Sequence, residues 1–77
     1  MTMLAIALAD TSPSGTLGRI AWLEQTWANK SPEERRYWLI DVGMRLGWLA
    51  ARARSVSTAA LVDQATDRLR ALEARGI

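Results

Sequence analysis

One stretch, residues 31–54, constrains this chain more than any other. It opens on Ser31-Pro32-Glu33-Glu34, a capping box with proline in the first turn, and predicts a helix over 32–54 with no further proline to stop it. Glu33 and Glu34 suit the positive end of such a helix, and Arg52 and Arg54 suit its negative end. At 100° per residue, Trp38, Leu39, Val42, Leu46, Leu49 and Ala53 fall on one side, while Tyr37, Ile40, Met44, Trp48 and Ala51 fall on nearly the opposite side. A helix apolar on two faces is normally buried on two faces. Everything else in the chain has to be weighed by whether it can supply that cover.

Two further helices are readable. The first is expected over residues 17–29, with Thr16 as its N-cap and Leu17, Ile20, Ala21, Leu23, Trp27 and Ala28 on one side. Glu24 interrupts that stripe and Trp22 lies outside it. Another is expected over 57–75, where Leu61, Val62, Ala65, Leu69 and Leu72 form one stripe headed by Thr58 and Gly76 ends the helix. Before them, Asp10 to Gly15 gathers turn formers and reads as a loop. Residues 1–9 alternate large and small apolar side chains, which suggests an apolar arm of open conformation. The expected fold is therefore all-α: a single domain over 1–77, a small bundle of three helices with an apolar N-terminal arm, completed by dimerisation.

Dimerisation is expected because the chain has few other ways to add to a small core. With 77 residues it buries only a modest share of its surface. It has no cysteine, which excludes disulfides and thiolate metal sites, and no histidine, which removes the commonest metal ligand and general base. The acids are scattered, so no cofactor or metal is expected. Two one-striped helices cannot easily cover a two-faced one, and the surplus face asks for a second copy or another protein.

The candidate interface follows from that surplus. It comprises Tyr37, Ile40, Met44, Trp48 and Ala51, with Trp22 from the first helix. Gly43 and Gly47 join Ala51 in a row of small residues that would allow a helix to approach closely, either from this chain or from a partner. Trp27 and Trp38 lie on the main stripes and read as core, whereas Trp22 and Trp48 lie off them and read as interface. Arg45 and Arg52 border the main stripe as a possible charged rim.

Among function classes, catalysis is set aside. Serine and threonine without histidine, one lysine and one tyrosine assemble no nucleophile–base set, and Gly15 and Gly18 lack the context of a phosphate loop. The leading expectation is a cytoplasmic protein–protein interaction module, a small regulator or inhibitor that masks a larger partner in the manner of mobile-element proteins. A nucleic-acid alternative rests on charge. The first 44 residues carry four basic and five acidic side chains, and the rest carry six and three, within a net charge of +2. A helix-turn-helix using Arg54, Ser57, Thr58, Arg68, Arg70 and Arg75 would exploit that bias, although Asp63 and Asp67 would face the phosphates. A structural subunit whose role is assembly alone is the third possibility. No leader or membrane span is expected: residues 1–9 lack a basic start, and the apolar run after Tyr37 is broken by Asp41 and Arg45.

Overall fold

The computed structural model describes residues 12–77; the apolar arm expected over residues 1–9 lies outside them. Among the described residues there are three α-helices and no strand: α1 (Pro13–Thr26), α2 (Pro32–Arg52) and α3 (Val56–Ala74), with a 3₁₀ turn at Trp27–Asn29 closing α1. Each helix packs on the other two, in a flattened body of 34 × 32 × 17 Å.

α1 begins earlier than its stripe suggests. Ser12, extended at φ −113° and ψ 157°, is the N-cap, and its hydroxyl accepts the Gly15 N–H at 3.0 Å. Pro13 then occupies the first turn, where its fixed φ suits a helix and its missing N–H leaves nothing unpaired. The turn formers of Ser12 to Gly15 are thus a helix start and not a loop. Thr16, expected as the cap, lies inside the helix and is buried, with its hydroxyl unpartnered among the described residues. α1 ends at Thr26 and the 3₁₀ turn carries the chain to Asn29, the expected limit.

The start of α2 follows its signature closely. Ser31 Oγ accepts the Glu34 N–H at 3.2 Å, and Glu34 Oε1 accepts the Ser31 N–H at 2.8 Å. That backbone hydrogen bond holds the Glu34 carboxyl below the usual carboxylate range. The end of α2 falls two residues short of the expected Arg54. α3 is capped by Ser55, whose hydroxyl accepts the Thr58 N–H at 3.1 Å, and an N-cap needs extended backbone. The chain must therefore leave α2 at Ala53 to present Ser55 extended, and α3 opens at Val56 instead of Ser57.

The core is one cluster drawn from all three helices: Ile20 and Leu23 from the first, with Trp27 from the 3₁₀ turn that closes it; Val42, Leu46 and Leu49 from the second; Val62, Ala65, Leu69 and Leu72 from the third. Leu17, Trp38 and Leu39 pack against it half-buried. Trp27 is the largest fully buried side chain, and its indole N–H donates to the Gly76 carbonyl at 3.2 Å. Two stripe members are displaced. Leu61 is exposed, although Leu72, only about 20° from it around the helix, is buried. Ala28 is exposed as well.

Two clamps bind α1 to the rest. Glu24, the interruption in the α1 stripe, receives both the Nε and Nη2 of Arg68 from α3, and its backbone carbonyl accepts Arg75 Nη1 at 3.2 Å. The hydrogen bond from Arg68 is the main reason the Glu24 carboxyl titrates below its ordinary range. At the same end of α1 Arg35 donates to the Trp27 carbonyl at 3.0 Å and to the Ile77 carbonyl at 2.9 Å, holding the C-terminal residues that follow α3 against the α1–α2 junction.

Candidate protein-binding face

The three core residues Val42, Leu46 and Leu49 point one face of α2 inward. That choice turns the second apolar face out. Tyr37 is 59% exposed, Ile40 64%, Met44 70% and Trp48 38%, and Ala51 is exposed beside them. A run of large apolar side chains this open along one helix is the usual mark of an association surface, since single exposed leucines need no explanation but a continuous strip does.

The glycine row lies along one edge of the same strip. Gly43 and Gly47 are both exposed. A Cβ at Gly47 would meet nothing within 4 Å, and one at Gly43 would meet only Leu69 Cδ2 at 4.0 Å, an ordinary contact. Packing among the described residues thus makes no use of the missing side chains, although each glycine inside a helix costs about 1 kcal/mol relative to alanine. Both glycines line an open groove of about 320 Å³ between α2 and α3, together with Leu39, Leu46, Leu69 and Arg70.

The N-terminal end of the strip is an aromatic cluster. Trp22 and Tyr37 each meet Trp38 edge-on, at ring-centroid distances of 5.3 and 5.0 Å. Lys30 Nζ lies 3.9 Å over Trp22 and the Arg19 guanidinium 5.2 Å over Trp38. Trp38 is therefore half-buried in a cationic-aromatic patch and not wholly in the core, as its stripe position suggested. The patch depends on α1 crossing α2 near Trp22, which no spacing along the chain encodes. At the other end Arg52 stacks over Trp48 at 4.1 Å. Arg45 is tied to Asp41 at 2.9 Å. Arg19, Lys30 and Arg52 thus each cover an aromatic face, a contact worth about 0.5–1 kcal/mol at an exposed site.

The residues of the nucleic-acid alternative are scattered by the fold. Arg68 and Arg75 are engaged by Glu24. Ser57 and Thr58 belong to the hydroxyl cluster around Ser55 at the start of α3. Arg54 is exposed in the α2–α3 turn and Arg70 borders the groove. Asp63 and Asp67 are exposed on α3, where a groove-reading helix would meet phosphates.

No protein-family model, curated protein or solved structure matches the chain. Among the described residues no group of three or more acidic side chains could hold a metal ion, and no helix is long and apolar enough to cross a membrane. The function must be argued from the α2 face.

Proposed function

We propose that this protein is a non-catalytic protein–protein interaction module, a small regulator that acts by occupying a surface on its partner, and that the outer face of α2 is where association occurs. One observation carries the proposal: Tyr37, Ile40, Met44 and Trp48 stand exposed in a continuous strip on a helix whose other face already supplies its share of the core. Large aromatic and methionine side chains concentrate at interfaces because they bury much apolar area at modest entropic cost. Arg52 stacked on Trp48, with Lys30 and Arg19 over the aromatic cluster, forms the polar rim such a centre needs.

The test uses Ile40→Asp and Met44→Asp, which place a charge on the strip without entering the core. Association with protein, read by nuclease-treated affinity capture and by mass in solution, should drop at least tenfold while far-UV circular dichroism stays unchanged. Association that is insensitive to both substitutions would refute the α2 face as the interface. Retention of nucleic acid that depends on Arg54 and Arg70 would instead bring the α3 alternative forward.

A further inference from the structure

From the pattern of large, small and charged residues along α2 we infer the occupant of its outer face: a second copy of this chain, packed antiparallel across a two-fold axis level with Gly43 and Met44. The inference rests on the reading of that face as a protein interface and names what covers it.

The outer face of α2 is complementary to itself. In a two-fold interface residue i meets j wherever j meets i, so a surface that pairs with itself must carry complementary features at equal distances on either side of a centre. α2 does so. The middle of its exposed face runs through Ile40 and Gly47, and an axis level with residues 43 and 44 sets Ile40 of one copy opposite Gly47 of the other, a large side chain against an absent one. On one flank, at the same register, Tyr37 faces Ala51 and the two Met44 side chains meet beside the axis. On the other flank Arg36 faces Ala50 and the two Gly43 residues meet, which lets the backbones come close. Glu33 is in line with Ile40, Met44 and Ala51 at spacings of 7, 4 and 7, and it comes level with the C-terminal end of α2 in the second copy, where Arg52 closes the helix.

Charge selects the direction. A parallel pair would bring Glu33 beside Glu33 and Arg52 beside Arg52, at the acidic start and basic end of α2, and would align the two helix dipoles; the antiparallel pair opposes both. The register also gives Gly47 a use. Among the described residues of the protomer no neighbour needs its missing side chain, and across the axis it is the seat for Ile40. The contact is long enough to matter: 21 residues at 1.5 Å per residue run about 30 Å, close to the full width of the body. A 77-residue chain with a small core has good reason to use it.

The experiment combines mass in solution with directed cross-linking, which the absence of native cysteine makes clean. Sedimentation equilibrium should give twice the 8.5 kDa chain mass. Gly47→Leu, whose Cβ meets nothing within 4 Å among the described residues and which favours the helix, should keep the fold and convert the protein to monomer by filling the seat of Ile40. Under mild oxidation Met44→Cys should form a disulfide-linked dimer. Glu33→Cys alone should not, whereas Tyr37→Cys combined with Ala51→Cys should. A dimer that survives Gly47→Leu, or a Glu33→Cys variant that links to itself, would overturn the antiparallel register. A wild-type monomer would overturn the second copy as occupant. If that monomer still captures a foreign protein in a manner abolished by Ile40→Asp, the interface reading stands with a different partner, and if it does not, both readings fall together.

Discussion

Gly18 and Gly76 illustrate how the same residue type carries opposite consequences. Gly18 lies in the interior of α1 with open space where a Cβ would stand, so its freedom only makes the helix harder to form. Gly18→Ala should raise the free energy of unfolding by about 1 kcal/mol in a urea titration, with no change in the slope. Gly76 adopts φ +98°, a conformation that side chains resist, and its carbonyl receives the Trp27 indole N–H. Gly76→Ala should therefore destabilise by about 1–2 kcal/mol in the same titration. If the two substitutions moved stability alike, the left-handed turn at the end of α3 would not be the constraint it is taken to be.

At the scale of the element, helix boundaries were legible where a capping motif was complete and misread where it was partial. Ser31-Pro32 with Glu34 three residues after the serine offers both halves of a capping box, and the structure has both hydrogen bonds. Ser12-Pro13 has the same opening but Gly15 at the third position, so only one half of the motif exists and the segment reads equally well as a turn. The physical difference is one reciprocal hydrogen bond. Ser12→Ala should still cost about 1 kcal/mol, because the Gly15 N–H loses its acceptor. A change below a few tenths would mean that water replaces the serine and that Pro13 alone sets the start of α1. The Leu61 discrepancy has a different origin. Leu61 and Leu72 lie within about 20° of each other around α3, yet only Leu72 is buried, so the difference lies in position along the helix, which periodicity does not register.

For the whole molecule, the Glu24–Arg68 clamp makes stability pH-dependent. The folded Glu24 carboxyl titrates below its ordinary range chiefly because Arg68 donates to its charged form. A depressed folded pKa contributes stability that is fully present above the unfolded value of about 4.3 and is lost as pH falls through the folded value. Thermal midpoints should accordingly drop on acidification for the wild-type protein and drop less for Glu24→Gln. The gap between the two should be open near neutral pH and close in acid. A gap that stayed constant with pH would show that Glu24 acts through shape alone. Glu34 shifts in the same direction for a local reason, so its contribution should remain in the Glu24→Gln variant.

Local chemistry in the chain determined the three helices, the capping of α2, and the presence of more apolar surface on α2 than two neighbours can cover. Each of these depends on residues within a turn or two of one another. Only the tertiary structure decided which of the two faces of α2 is core. Val42, Leu46 and Leu49 turn inward because α1 and α3 meet α2 on that side, and Tyr37, Ile40, Met44 and Trp48 are left outside. The same crossing joins Trp22 to Trp38 and Glu24 to Arg68, which are 16 and 44 residues apart. Periodicity fixes what lies along a helix but carries no information about which direction a neighbour arrives from, and that direction is what separates a core from a binding face.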